Sequence, residues 1–386
     1  MKILTFIVDR ANYGRLKKCL IRLKEDPEIE SLVALTGSAA LSKYGNLEEE
    51  MRGVNLKIEP PIYAEIASGE LSGMVSTIGL MVIKFSDLIQ RIKPDVVQLI
   101  GDRYEALAAA IASSYDGIPI IHHQGGELSG ALDEMTRHVI TKMSHIHFVA
   151  TERAKDIVRQ LGESDKNIYL TGCPSLDIIK SVMQNQTSLK WLNEIGVGDN
   201  LNIEEPFFLF IYHADTEDID KSTKYFDQLL ELAFHQKIQA VIFWPNIDPG
   251  SDNIAKKIRG HRESHVVNNK VRFLRNVSPE RYIELMIKAE FAIGNSSSLV
   301  REGSYIGLPT FLIGNRQLNR EYGKNIIPIA YQDILKINKL IDKKCYLKNR
   351  ESTYLYGSGD AVDVIISIIS SLKRKKIKHY KNFHLL

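Results

Sequence analysis

Short β-branched and aromatic runs alternate with longer stretches of helical periodicity along most of the chain, the pattern of βαβ units around parallel sheets. One set of strands is predicted at Lys2–Val8, Ser31–Leu35, Asp95–Ile100, Ile118–His122, Ile146–Ala150 and Asn167–Thr171. A second set is predicted at Phe207–Tyr212, Ala240–Trp244, Val271–Leu274, Phe291–Ile293 and Pro309–Ile313. A last run, Ile326–Ile329, holds Pro328, which lacks a ladder donor and so is confined to a sheet edge. The polar stretch Gln184–Pro206 separates the sets and reads as a linker. Gly69–Ile92 reads as a long helix with Met74, Ile78, Met81 and Phe85 on one face, a stripe that points to core or subunit contact. Ala361–Lys373 is a further amphipathic helix that would pack back across the first half. The expected fold class is α/β, with two Rossmann-like, doubly wound parallel-sheet domains. Residues 1–190 form the first, 191–360 the second, and 361–386 the returning C-terminal helix.

Composition narrows the function. The 386 residues are 44% hydrophobic and 25% charged, ordinary for a soluble globular chain, and the net charge of +3 implies no strongly basic face for nucleic acid or an acidic membrane. The basic cluster Lys373–Lys381 reads as a solvated tail. Cys19, Cys173 and Cys345 are odd in number and far apart, which fits reduced thiols in a cytoplasm and offers no zinc-ligand spacing. The first strand begins almost at Met1, leaving no room for a signal peptide, and no apolar stretch is expected to span a bilayer.

Chemistry concentrates at strand ends, where an open α/β sheet keeps its ligand contacts. Val96–Ile100 ends in Gly101-Asp102-Arg103, and Ile118–Ile121 ends in His122-His123-Gln124-Gly125-Gly126-Glu127. The helical segment beyond carries Asp133, Glu134, Arg137 and His138. Singly, each residue has a structural reading as a cap or a solvated ion pair. As a set beside two glycines they favour acid/base work on a bound ligand, for instance two carboxylates on opposite sides of a sugar carbon. The first strand leads into Arg10 and Arg15, suited to phosphate or carboxylate. In the second half, Gly294-Asn295-Ser296-Ser297-Ser298 opens a helix holding Arg301 and Glu302, a natural anion site with an acceptor for a ribose diol, although Ser296 as a simple cap explains part of it. His213, Asn246, Arg316 and Arg320 also follow strands.

The segments GDRYEALAAA, HHQGGELSGALDEMTRH, ITKMSHIHFVATERAKDIVRQLGE, TGCPSLD, WPNIDPGSD, RFLRNVSPERY, GNSSSLVRE and IGNRQLNRE occur in this order over most of the chain. In them the chain resembles the hydrolysing UDP-N-acetylglucosamine 2-epimerases of sialic acid synthesis. That resemblance implies a GT-B-like fold, two Rossmann-like domains around a central cleft, assembled as a homodimer or homotetramer. It implies a UDP-sugar substrate and neither a nicotinamide nor a metal cofactor. Anti elimination of UDP across C1 and C2 would leave a glycal; water then adds and C2 is reprotonated from the other face, giving an N-acetylmannosamine-type sugar and UDP. By the resemblance, Asp102 and Asp133 handle protons, with Arg137 and His138 in the same motif. Arg10, Arg103 and His213 neutralise the leaving diphosphate, and Asn246, Ser296, Ser297, Glu302, Arg316 and Arg320 lie on the nucleotide and sugar side.

The chain departs from the pattern at Gln124, where the family has a catalytic glutamate, at Asn12 for aspartate and at Arg15 for lysine. An amide cannot exchange a proton near neutral pH, so Gln124 is not the base. His123 would titrate in the useful range but alternation points it to the opposite face, leaving Glu127 or Glu134 as substitutes. An altered sugar nucleotide or slower catalysis follows. The rival readings are a non-hydrolysing epimerase, a GT-B glycosyltransferase, and a catalytically silent nucleotide-sugar sensor.

Overall fold

The computed structural model describes residues 1–64, 66, 71–130, 132–185, 188–215, 219–245, 250–263, 270–373 and 377–384. The chain forms two compact units. One comprises Met1–Leu128, Leu132–Asp177 and Tyr356–Leu386; the other comprises Ser129–Ala131 and Ile178–Leu355. The changeovers thus fall at 177 and 355, where the sequence places boundaries at 190 and 360.

In chain order the first unit contains β1 (Lys2–Ile7), α1 (Arg10–Glu25), β2 (Glu30–Leu35), α2 (Leu47–Gly53), β3 (Lys57–Ile58), α3 (Leu71–Ile92), β4 (Val96–Ile100), α4 (Tyr104–Tyr115), β5 (Ile120–His123), α5 (Leu132–Met143), β6 (Ile146–Val149), α6 (Glu152–Gln160) and β7 (Ile168–Leu170). Its sheet runs β3-β2-β1-β4-β5-β6-β7 with every neighbour parallel. The strand order reverses between β1 and β4, the point at which doubly wound sheets open a ligand crevice. Both faces are covered, as a parallel sheet requires. Ile3, Ile7, Val33, Ile100 and Phe148 pack under α1 on one side, and Leu4, Phe6, Val97 and Leu99 meet Met81, Phe85 and Ile89 of α3 on the other.

α7 (Ser175–Gln184) carries the chain across. The second unit then has β8 (Val197–Gly198), β9 (Phe207–Ile211), α8 (Ile219–Phe234), β10 (Gln239–Phe243), α9 (Ser251–Glu263), β11 (Val271–Leu274), α10 (Pro279–Lys288), β12 (Ala292–Gly294), α11 (Ser297–Ile306), β13 (Thr310–Ile313), β14 (Ile326–Ile329) and α12 (Lys336–Asp342). Its sheet order is β14-β13-β12-β9-β10-β11-β8, parallel apart from β8 against β11. Pro328 sits on the edge strand β14, as its missing donor demands. The reversal here falls between β9 and β12. Two Rossmann-like units of this kind make up a GT-B-like fold.

α13 (Ala361–Leu372) belongs to the first unit, burying Ile365 and Ile369 in the α1 face, with Arg22 Nη1 donating to Asp363 Oδ1 at 2.6 Å. The stretch read as a linker holds buried Trp191 and Leu192 and the two-residue strand β8. One expectation is corrected. α3 is long and apolar enough, by length and composition, to cross a membrane. It nevertheless folds against the first sheet, with Met81 and Phe85 wholly buried.

Candidate active site

The strand ends beside the first reversal carry most of the expected chemistry. Asp9 caps α1, accepting from the Asn12 amide at 2.6 Å, a bond whose loss costs about 1 kcal/mol. The helix thereby starts at Arg10 and turns Arg15 inward. Arg10 donates to Glu50 Oε2 at 3.0 Å, and burial lowers its pKa against the pull of Glu50. Arg15 is buried; its Nε donates to the Ala11 carbonyl at 3.0 Å and its Nη1 to Gln124 Oε1 at 2.5 Å. Gln124 in turn donates through Nε2 to Cys173 Sγ at 2.9 Å, and Cys173 lies 3.0 Å from Ser175 Oγ. The amide is 1% exposed and its φ of 62° is left-handed, an uncommon state for a side-chain-bearing residue. Gln124 is therefore wired in place between a guanidinium and a thiol.

After β4, Asp102 accepts through Oδ2 from Arg137 Nη2. The Arg137 guanidinium, 1% exposed, also donates through Nη1 to the Glu127 carbonyl. Arg137 thus ties the end of β4 to the loop after β5. Charge-assisted bonds of this kind are stronger than neutral ones and hold orientation as well as energy. Asp133 stands one turn before Arg137 on α5, half-buried, and His138 follows, its pKa lowered by burial and by Arg137. Glu127 is 5% exposed. Arg103 is buried and chelated by Glu105, Nε to Oε2 at 3.1 Å and Nη2 to Oε1 at 2.9 Å.

The reading of His123 is overturned. Its ring is 1% exposed, neither nitrogen has a hydrogen-bond partner, and it packs 4.9 Å from the Phe148 ring. Burial, with help from His122 and Arg15, pushes its pKa down to about 3. It does not titrate where a general base would need to.

In the second unit the corresponding strand ends are those of β9 and β12. His213, half-buried, is held by its own peptide: its N–H donates to Asn295 Oδ1 and its carbonyl accepts from Asn295 Nδ2, both at 2.8 Å. Arg316 Nη1 donates to the next carbonyl, that of Ala214, and Gln317 Nε2 donates to the Asn295 carbonyl at 3.0 Å. Ser296 is the N-cap of α11 but makes no capping side-chain bond; its hydroxyl meets Ser298 Oγ at 3.0 Å and its carbonyl accepts from the Leu299 amide at 3.2 Å, at a helix start of the kind that suits an anion. Ser297 Oγ accepts from Arg301 at 3.0 Å. Glu302 is 6% exposed with Oε2 unpartnered, a buried acceptor of the kind a diol would satisfy. Arg316 and Arg320 are buried nearby in sequence. Asn246 lies outside the described residues.

The first unit therefore joins Arg15 to Gln124, and Asp102 through Arg137 to the Glu127 carbonyl, with Asp133 and His138 on the same helix as Arg137, while Arg10 and Arg103 sit with carboxylates of their own. The second carries His213, Ser296, Ser297, Glu302, Arg316 and Arg320. Sequence reasoning missed Asn295 as the clamp on His213 and Cys173 as the partner of Gln124. The adjacency of Asn295 to the serines was the one available signal for the former; nothing local marked the latter. Among the described residues no group of three or more His, Cys, Asp or Glu side chains is arranged to hold a metal ion.

Comparison with known proteins agrees with this architecture. A family model described as UDP-N-acetylglucosamine 2-epimerase matches residues 21–370. The chain is 32% identical over 336 residues to the UDP-N,N'-diacetylbacillosamine 2-epimerase (hydrolyzing) of Legionella pneumophila, covering 86% of this chain and 87% of that one. It is 31% identical over 360 residues to a UDP-N-acetylglucosamine 2-epimerase of Neisseria meningitidis, covering 93% and 91%. A crystal structure of the Neisseria meningitidis UDP-GlcNAc 2-epimerase bound to UDP-GlcNAc superposes with a TM-score of 0.79 at 19% identity, covering 96% of this chain and 100% of that one. The chain belongs to the UDP-N-acetylglucosamine 2-epimerase family.

Proposed function

We propose that this enzyme is a hydrolysing 2-epimerase, acting on UDP-N-acetylglucosamine or a diacetamido-trideoxy relative and releasing the free 2-epimeric sugar and UDP. The observation that carries the reading is the fastening of Asp102 by Arg137 at the end of β4, beside the strand-order reversal, with Asp133 one turn away on the same helix as Arg137. The hydrolysing subtype is supported by the name of the Legionella relative, and a UDP-sugar ligand by the UDP-GlcNAc bound in the Neisseria structure.

In this reading one carboxylate of the Asp102 and Asp133 pair takes the C2 proton. The C2–H electron pair forms the C1–C2 double bond as the C1–O bond breaks toward UDP. Water then adds at C1 and the other carboxylate returns a proton to the opposite face of C2. Glu127 and His138 are the remaining proton-handling candidates. On the nucleotide side, the N-terminal end of α11 with Ser296 and Ser297 takes phosphate, Glu302 takes the ribose diol, and His213, Arg316 and Arg320 take the diphosphate. Arg15 acts through Gln124. Arg10 and Arg103, paired with Glu50 and Glu105, keep further guanidinium donors to share in neutralising the diphosphate.

Three free cysteines support a reducing, cytoplasmic setting. Exposed Val75 and Ile83 of α3 and Met135 of α5 support a homodimer or homotetramer. A substrate panel tests the assignment: UDP release without acceptor, from UDP-N-acetylglucosamine and from its diacetamido-trideoxy analogue. The hydrolysing reading expects release from at least one. Binding without release favours the sensor that Gln124 motivates, and release only with an acceptor favours a glycosyltransferase.

A further inference from the structure

Between the end of β4 and α5 lies a side chain to which no role has been given. His122, the third residue of β5, is wholly buried. Its Nε2 lies 2.8 Å from the Gly101 carbonyl oxygen. A carbonyl only accepts, so Nε2 carries the proton and Nδ1 accepts, here from the Thr141 hydroxyl at 3.1 Å. Burial holds the imidazole neutral, its pKa pushed down to about 3, with His147 and Arg137 adding to the effect and the Gly101 bond and Asp102 opposing it. One tautomer therefore persists across the working pH range.

The two ends of this bridge are informative. The Gly101 carbonyl belongs to the peptide that joins Gly101 to Asp102, so fixing it fixes the plane from which Asp102 departs. Thr141 lies one turn beyond Arg137 on α5, and Arg137 grips the Asp102 carboxylate itself. Backbone and side chain of Asp102 are thus referred to one helix, through His122 and through Arg137. The loop after β5 is seated on the same joint. A Cβ on Gly125 would lie 2.6 Å from Thr141 Oγ1 and 3.0 Å from His122 Nδ1, so both side chains would have to shift to admit it.

We infer that His122 is a positioning residue: bridging Gly101 to Thr141, it sets the place of Asp102 relative to α5 and so governs proton transfer at the substrate. The inference rests on the proposed role of Asp102. A misplacement of about 1 Å at such a centre costs on the order of 100-fold in rate. Nucleotide binding, held by other residues, is untouched.

The test compares His122→Asn, His122→Gln and Thr141→Val in the full-length enzyme, following C2 deuterium incorporation in deuterated water. His122→Asn is too short to reach Gly101 and is expected to lose roughly 10- to 100-fold in kcat, with KM and UDP affinity within about twofold of wild type. His122→Gln restores an N–H near the Nε2 position and is expected to recover kcat to within about fivefold. Thr141→Val replaces the hydroxyl by a methyl group, serves as the second variant where His122→Asn does not fold, and is expected to lower kcat about three- to tenfold at unchanged KM. Wild-type kcat in both His122→Asn and Thr141→Val overturns the inference, as does equal loss in Asn and Gln variants with KM rising in step. Absence of C2 exchange in the wild-type enzyme overturns the functional reading instead. Nitrogen-15 spectra then still decide the joint, because an Nδ1-protonated or titrating His122 contradicts it and a fixed Nε2-protonated ring supports it.

Discussion

Acidification from pH 7 to pH 5 is expected to loosen the first unit through two buried imidazoles. His122 and His123 are 0% and 1% exposed, and burial holds both pKa values near 3 in the folded chain, against about 6.5 when unfolded. Below pH 6.5 the unfolded chain takes up protons that the folded one refuses, so stability is fully present above 6.5 and falls as pH drops toward 3. Between pH 7 and pH 5 each ring costs about 2 kcal/mol, about 4 kcal/mol for the pair. His147, wholly buried with its pKa lowered by burial, acts in the same direction. Glu163, held down at about 2 by His147, Lys381 and Lys142 against its own burial, loses its contribution only below about 4.5 and leaves this window to the histidines. The assay is amide hydrogen exchange of β4 and β5, corrected for intrinsic exchange rates, in wild type and His123→Leu. Leucine keeps the apolar contact with Phe148 and removes one titrating ring, so the variant should recover about 2 kcal/mol of the pH 5 loss. An opening free energy that is equal at pH 5 and pH 7, or His122 and His123 resonances titrating near 6.5, refutes the reasoning.

Gly126→Ala should unfold or severely destabilise the first unit, because φ is +79° there and the new Cβ would lie 2.2 Å from the Ala154 carbonyl oxygen; a melting temperature within a few degrees of wild type contradicts this. Gln124→Glu should leave turnover of UDP-N-acetylglucosamine unchanged or lower, since a carboxylate there would be locked against Arg15, and a tenfold rise in kcat would show the amide to be a mere defect. Glu163→Gln should free the C-terminal tail, whose Lys381 bonds Glu163 at 2.7 Å alongside Lys142 at 2.9 Å; limited proteolysis beyond residue 377 should accelerate, and unchanged cleavage would contradict the clasp.

Most of the fold was legible because parallel strands buried on both faces write continuous apolar runs. Val271–Leu274 and Ile326–Ile329 appear with the bounds the pattern predicts. β3 and β8 escaped notice because two residues carry no period, and β8 depends on distant help: the Arg272 guanidinium donates to the carbonyls of Asn193, Ile195 and Gly198. Strand-end chemistry was legible for the same topological reason that puts Asp102, Gln124, His213 and Ser296 after β4, β5, β9 and β12. Partnership was not. That Arg10 meets Glu50, or Gln124 meets Cys173, is set by contacts 40 and 49 residues apart in sequence. His123 misled because its sequence reports an ordinary histidine while its titration is decided by a fully closed environment.

The central claim is that carboxylates of the first unit exchange the proton on C2 of a UDP-sugar. Proton NMR of the enzyme with UDP-N-acetylglucosamine in deuterated water, repeated with the diacetamido-trideoxy analogue and with Asp102→Asn and Asp133→Asn, reads that exchange directly. The account predicts free 2-epimeric sugar with deuterium at C2 and stoichiometric UDP from wild type, and loss of both in the two variants. Unlabelled sugar, or full labelling with Asp102 and Asp133 both replaced, would contradict it.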